Sequence, residues 1–175
     1  MTVTEENRRS DSLYYGDIKR RELCNIIARM ESEKEKQMLI KVKLDEGAYL
    51  PERAHSTDAG ADIRCMEGFV LPSKGSVTVK TGVYVQLPKG TVGMLKSKSG
   101  LNIKHGITSE GVIDEGFDGE IMVKLYNDSP IPHHFAKGDK ITQLVVMPVC
   151  YPTYAAFDAI QGGERGSRGY GSTGR

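Results

Sequence analysis

Short runs of β-branched and alternating apolar residues occupy the chain from about residue 39 to residue 154. The runs are "LIKVKL", "SVTVKTGVYVQL", "TVGMLKS", "EIMVKLYN" and "ITQLVVMPV", and they are typical of strands. Turn-forming stretches separate them, namely "LPSKG", "LPKG", "EGFDG", "NDSP" and "AKGD". No helical pattern interrupts the series. The pattern therefore predicts an all-β domain over residues 39–160, with a β-sandwich, jelly roll or small barrel as its architecture.

The spacing of apolar residues is different before residue 39. The stretch "GDIKRRELCNIIARMESEKEKQM" is highly charged and contains no proline, and Asp17 near its start is a suitable N-cap. Its apolar residues follow the helical spacing i, i+3, i+4, i+7: Leu23, Ile26, Ile27 and Met30. We therefore predict an N-terminal extension over residues 1–38, helical at about 17–36. Two interpretations stay open: the helix would either pack on its own domain, or bind a protein partner or associate with its own copies, because so short a stripe is marginal alone.

The chain ends in "GGERGSRGYGSTGR", where glycine stands at nearly every second position. This stretch has no apolar periodicity, and glycine loses more backbone entropy on ordering than any other residue. The composition predicts a flexible C-terminal arm over residues 161–175.

Composition narrows the classes of function. The chain has 175 residues and a formal net charge of +1, which gives no electrostatic basis for binding nucleic acid or a membrane. Its three cysteines are far apart and have no CxxC spacing, which predicts buried thiols in a reducing compartment. No apolar run reaches 18 residues, so we expect a soluble, intracellular and cytoplasmic protein.

Four stretches interrupt the strand pattern with polar residues: "STDAGADIR", "KSKSGLNIKHG", "GVIDEGFDGEI" and "GDKITQLVV". Each alone fits ordinary structure, with Asp62 or Ser99-Gly100 in a turn and Asp139 at a loop tip. Followed by "RGSRGYGSTG", the five motifs stand in an order and spacing that resembles the trimeric, all-β dUTPases. The resemblance covers about residues 39–175 and leaves out the N-terminal extension.

The resemblance implies a jelly-roll-like fold, a homotrimer with shared active sites, and hydrolysis of dUTP to dUMP and pyrophosphate. This activity limits uracil incorporation into DNA and supplies dUMP for dTMP synthesis. Asp114, in "GVIDEG", matches the aspartate that positions the water attacking the α-phosphate. Asp62, in "AGADIR", matches the aspartate linked through water to Mg²⁺, the implied cofactor.

The resemblance also assigns the substrate contacts. The phosphates would be bound by Lys98, Ser99, Gly100, Gln143, Arg165, Ser172 and Thr173, with Gln143 reaching them from a neighbouring subunit. Base and sugar would be bound by Gly111, Ile113, Phe117 and Tyr170. Lys98, Phe117 and Thr108 depart from the arginine, tyrosine and asparagine that are common in the family. The arm would cross to another subunit and close as a lid over the bound nucleotide.

Two other functions compete with this one. A dCTP deaminase has the same fold and a similar "IDxGFxG" hairpin, but its catalytic glutamate would stand where this chain has Lys124. A non-enzymatic protein that uses the fold and the N-terminal helix to bind a partner is the second alternative.

Overall fold

The computed structural model describes residues 38–159, together with Glu22, Asn25 and Gly162. Glu22 and Asn25 are helical, but the rest of the predicted helix at 17–36 lies outside the described residues, as does the arm beyond Gly162. Residues 38–159 form ten strands and one helix. The strands are β1 (Lys41–Leu44), β2 (Gly60–Arg64), β3 (Phe69–Leu71), β4 (Ser76–Lys80), β5 (Val83–Gln86), β6 (Thr91–Lys96), β7 (Ile107–Ile113), β8 (Met122–Asn127), β9 (His133–Phe135) and β10 (Lys140–Pro148), and the helix is α1 (Ser99–His105).

The strands form one six-stranded sheet and two two-stranded sheets. The large sheet has the order β2-β10-β6-β7-β8-β4, and β1-β5 and β3-β9 form the small ones. Every pairing is antiparallel, and β10 joins the early strand β2 to the middle of the chain. The prediction of an all-β domain is therefore confirmed.

One hydrophobic core lies between these sheets. Strand β8 shows how the sequence builds it, since Val123 and Leu125 are fully buried while Met122, Lys124 and Tyr126 face outward. The alternation follows from the two-residue period of a strand, which sends successive side chains to opposite faces. The fully buried apolar side chains include Ile63, Leu71, Val83, Ile121, Val123 and Leu125.

The outer face of β10, β6 and β7 is also partly apolar. Strand register sets Val145, Met94 and Val112 side by side across the three strands. The next row on this face is polar and contains Gln143, Lys96 and Glu110. Val112 is 59% exposed although it lies in the middle of a sheet face. We name the row Val145, Met94 and Val112 the apolar row.

Helix α1 corrects the prediction that no helix interrupts the strands and that Ser99-Gly100 lies in a β-turn. It begins after Lys98, whose backbone is extended, and ends at Gly106, whose φ of +64° suits glycine. Leu101 packs against the core, whereas Ile103 is 83% exposed, so the seven residues carry no clear apolar stripe. No helix in the described part of the chain is long and apolar enough to cross a membrane.

The prediction of buried thiols is confirmed for Cys65 and wrong for Cys150. The Cys65 thiol is fully buried and donates to the carbonyl oxygen of Ala136 at 3.1 Å. Cys150 is exposed because it follows the end of β10, where the chain leaves the sheet. Cys24 lies outside the described residues.

Candidate active site

The predicted site residues fall into two groups at opposite ends of β6. Asp62, Lys98 and Lys140 gather beyond the end of this strand and are called here the lysine–aspartate cluster. The turn that bears Asp114 follows β7, whose last residue, Ile113, pairs with Gly93 near the start of β6.

In the lysine–aspartate cluster one carboxylate is held by two ammonium groups. Lys98 donates to Oδ1 of Asp62, and Lys140 lies 2.7 Å from Oδ2. The Asp62 side chain is only 9% exposed, while those of Lys98 and Lys140 are 25% and 35% exposed. Burial would raise the pKa of Asp62, but the hydrogen bonds from Lys140 and Lys98 outweigh it and hold this pKa below its ordinary value. Asp62 is therefore an ionised anchor for two partly exposed lysines.

The backbone leading into α1 is fixed by buried hydroxyl groups. The Ser97 hydroxyl donates to the carbonyl oxygen of Ser109 and accepts its N–H at 2.9 Å. The hydroxyls of Ser109 and Thr142 lie 2.7 Å apart, and Thr142 donates to the carbonyl oxygen of Lys96. Sequence reasoning missed Ser109 and Thr142, because isolated serine and threonine residues in strands give no signal of a shared network.

Gln143 lies in the same group as Asp62 and Lys98 within a single chain. It pairs with Asp62 across β2 and β10, and its amide donates to the carbonyl oxygen of Ser97 at 3.1 Å. Within one chain, Gln143 therefore lies beside the loop that leads into α1. The reason is strand register, which brings β10 and the end of β6 together. Ser99 and Gly100 are exposed at the start of α1, directly beside this group.

The second group is the turn after β7. The N–H of Phe117 donates to the carbonyl oxygen of Asp114 at 3.1 Å, and Gly116 supplies the positive φ of +86° that the turn needs. Asp114 therefore opens the turn that follows β7. The Asp114 side chain is exposed to solvent.

Glu115 fixes this turn from outside. Its Oε2 accepts the N–H of Gly90 at 2.7 Å and the hydroxyl of Tyr151 at 2.5 Å. The hydrogen bond from Tyr151, followed by that from Gly90, lowers the pKa of Glu115. Asp114, Glu115 and Tyr151 share a cavity of about 330 Å³. Sequence reasoning missed Glu115, whose partners are distant in the chain.

The residues predicted to bind base and sugar differ in exposure and in whether the side chain or only the backbone can contact a ligand. Phe117 is 44% exposed and its ring covers Gly119, where an added Cβ would lie 2.5 Å from Phe117 Cζ. Ile113 is buried, so its side chain faces the core and only its backbone is available to a ligand. Gly111 pairs with Leu95 in the sheet. Thr108 is half-buried beside Tyr126. Arg165, Tyr170, Ser172 and Thr173 lie outside the described residues.

Within one chain, the Asp114 turn and the lysine–aspartate cluster are far apart. From Gly93, beside the Asp114 turn, to Lys98 is five positions along β6 and its continuation. At about 3.3 Å per residue this separates the two ends by roughly 16 Å.

The donor set fits only a loosely held magnesium ion. No group of three His, Cys, Asp or Glu side chains within residues 38–159 is placed to bind a metal. Asp62 already accepts one lysine on each oxygen, but a carboxylate has further lone pairs for a water. Mg²⁺ characteristically keeps several waters and takes phosphate oxygens, so Asp62 fits as a partner of a metal-bound water.

The fold and this site define a class: an all-β protein with two partly exposed lysines beside a loop that leads into a short helix. The dUTPase family model matches residues 46–174. The deoxyuridine 5'-triphosphate nucleotidohydrolase of Tropheryma whipplei (strain Twist) is 42% identical over 136 residues, covering 75% of this chain and 93% of that protein. The counterpart from Paramecium bursaria Chlorella virus 1 is 38% identical, covering 78% and 97%.

Solved structures agree with the family match. The Staphylococcus bacteriophage 80alpha dUTPase with dUPNHPP has a TM-score of 0.73 and 31% identity, covering 78% of this chain and 99% of that one. A mutant dUTPase from phage phi11 of S. aureus, which coordinates a structural Mg(II) ion, has a TM-score of 0.64 and 30% identity, covering 69% and 97%. The chain belongs to the dUTPase family, and by that membership it is a dUTP diphosphatase, a hydrolase.

Proposed function

We propose that the chain hydrolyses dUTP to dUMP and pyrophosphate in sites shared between the subunits of a homotrimer. The observation that carries this proposal is the separation, within one chain, of Asp114 from the lysine–aspartate cluster. Reacting atoms must approach to about 3–3.5 Å, which one chain with these groups at opposite ends of β6 does not provide. A neighbouring copy that brings its Asp114 turn to the cluster completes the site.

The apolar row supports assembly. A sheet face covered by water normally carries polar side chains, and exposed apolar surface often marks an interface. Val112 is 59% and Met147 43% exposed on this outer face. A second and third copy of the chain would cover these side chains and set the polar row, with Gln143, at the rim of the interface.

The lysine–aspartate cluster and the loop beside it suit the phosphates. Lys98 and Lys140 offer two positive charges, and Ser99 and the Gly100 backbone offer hydrogen-bond donors that are exposed. The Gln143 amide is close enough to this loop to contribute a further donor. Arg165, Ser172 and Thr173 of the arm would add donors to the outer phosphates when the arm closes.

Asp114 would orient the attacking water. An ionised carboxylate accepts a hydrogen bond from water and directs the water lone pair at the α-phosphorus. The new phosphorus–oxygen bond forms as the bond to the bridging oxygen breaks, and pyrophosphate leaves with the electron pair. The water loses its proton as dUMP forms, and Asp114 is placed to accept it. A bound Mg²⁺ would neutralise charge on the triphosphate.

Base and sugar selection would fall to the β7–β8 turn and the arm. Backbone groups of Gly111 and Ile113 would pair with uracil, and a cytosine would leave such buried groups unpaired at about 1–3 kcal/mol each. The exposed face of Phe117 would pack on the deoxyribose, where a 2′-hydroxyl would clash. Tyr170 would stack on the base. The match to the dUTPase family model favours this function over deamination, as does Lys124, exposed on β8.

The test compares pyrophosphate release from dUTP, dCTP, dTTP and UTP with Mg²⁺ present. Wild type would be assayed beside Asp114→Asn and a chain that ends at Gly163. We expect activity on dUTP alone, about 100-fold or more lower in Asp114→Asn, as for loss of a positioned general base, and severely reduced without the arm. A folded oligomer that releases no pyrophosphate from any nucleotide would refute the proposal.

A further inference from the structure

The inference concerns Asp62 and rests on the proposed function. Both oxygens of its carboxylate are already engaged, Oδ1 by Lys98 and Oδ2 by Lys140. The two ammonium groups exceed the single negative charge they surround. In this arrangement the cluster attracts anions and repels a divalent cation.

The two lysines can change partners while Asp62 cannot. The carboxylate is fixed on β2 and 9% exposed, whereas a quarter or more of each lysine side chain faces solvent. A lysine carries a compact charge on a flexible four-carbon stem, so it can swing between neighbouring acceptors. A triphosphate with several negative charges competes strongly for such a group.

We propose that Lys98 is transferred from Asp62 to the nucleotide phosphates, which removes a charge that repels divalent cations, so that a metal-bound water reaches the free lone pairs of the carboxylate only when nucleotide is present. In the nucleotide-free protein, the Lys98 ammonium group occupies Asp62 and repels a free divalent cation. When the nucleotide binds, Lys98 contacts its phosphates instead, and Mg²⁺ binds with the nucleotide or after it. An arginine in place of Lys98 would hold both acceptors through its fork of donors, and would make this exchange less complete.

The experiment measures Mn²⁺ binding to the full nucleotide-free chain by electron paramagnetic resonance. Wild type should bind Mn²⁺ weakly, and Lys98→Met should strengthen binding by about fivefold or more, because it exposes one carboxylate oxygen and removes a repelling charge. Lys140→Met, which releases the other oxygen, should act in the same direction. The control is Lys104→Met in the last turn of α1, which removes the same charge from a lysine that does not hold Asp62.

A second control separates this exchange from general electrostatics. Adding Asp62→Asn to Lys98→Met should abolish the gain in Mn²⁺ affinity. If nucleotide-free wild type binds Mn²⁺ as tightly as Lys98→Met and Lys140→Met do, the proposed exchange is refuted. Binding of dUPNHPP is measured separately by calorimetry. If that analogue does not bind wild type, the proposed function fails; if it binds and the gain in Mn²⁺ affinity is absent, only the exchange fails.

Discussion

Three carboxylates of the candidate site differ in what holds them. Asp62 is nearly buried and bound by two lysines, and Glu115 is held by Gly90 and Tyr151. Asp114 and Glu115 are both exposed neighbours in the turn after β7, but Glu115 is engaged by Gly90 and Tyr151. The environments separate their roles, since Asp62 and Glu115 anchor other groups while Asp114 is free to contact water.

The lysine–aspartate cluster makes stability depend on pH in one direction. The pKa of Asp62 in the folded protein lies below its ordinary value of 3.8, so the cluster stabilises the fold above that pH and loses this effect as the pH falls through the lower folded pKa. Asp62→Asn should cost about 1–2 kcal/mol at pH 7, between typical exposed and buried pairs. In urea unfolding at several pH values, the gap to wild type should close below pH ~4. Asp118→Asn, in the exposed turn after β7, removes the same charge without touching the lysine–aspartate cluster and is the matched control.

Gly119 sets the position of the Phe117 ring. In Gly119→Ala the new Cβ would meet Phe117 Cζ at 2.5 Å and Cε2 at 2.9 Å, so the ring must move. If the ring packs on the deoxyribose, kcat/KM for dUTP should fall about tenfold, as small displacements in a site do, and the preference for dUTP over UTP should shrink. In a Phe117→Ala background the same change should cost nothing further. An additive loss there would contradict the assignment.

At the scale of elements, strand β6 links the two groups of the candidate site. Its start pairs with the end of β7 that leads into Asp114, and its end continues into Ser97 and Lys98. Strand β10 pairs with it along its length and contributes Gln143 and Thr142. The same register that builds the sheet therefore fixes the loop that leads into α1.

Periodicity predicted the strands because valine and isoleucine alternation is local information. It missed α1, since seven residues with Leu101 half-buried and Ile103 exposed give no stripe to detect. The motifs predicted Asp62, Lys98 and Asp114 as site residues. The contact of Ser109 with Thr142 joins residues 33 positions apart, and only the strand register reveals it.

Thr142 tests whether this buried network supports the loop. Thr142→Val keeps the shape but leaves the Ser109 hydroxyl and the Lys96 carbonyl without that partner, at about 1–3 kcal/mol in unfolding free energy. The loosened loop should raise KM for dUTP more than it lowers kcat. Thr81→Val is the matched control, because Thr81 is fully buried and its hydroxyl donates to the carbonyl oxygen of Ile121 at 2.7 Å, between β4 and β5 and away from the loop that leads into α1. It should cost similar stability and leave KM unchanged.

At the scale of the whole molecule, the described part of the chain forms a closed core, and under the proposed function it carries only part of the active site. Its core is closed, yet the apolar row remains on the outer face and the two functional groups lie at opposite ends of β6. Under the proposed function, a further copy of the chain accounts for both features. Assembly would bury the apolar row and join one chain's Asp114 turn to another chain's lysine–aspartate cluster.

Mixed subunits test this directly. Asp114→Asn lacks one half of the site, and the double variant Lys98→Ala, Ser99→Ala lacks the other, so each alone should be nearly inactive. When the two are unfolded together in equal amounts and refolded, random assembly should leave about a quarter of the sites with both halves intact, and about a quarter of wild-type activity should return. Each variant refolded alone is the control, with light scattering to confirm the oligomer. If the mixture is no more active than each variant alone, Asp114 and the lysine–aspartate cluster act within one chain. The fold would then have to change so that these two groups, which lie at opposite ends of β6, approach each other.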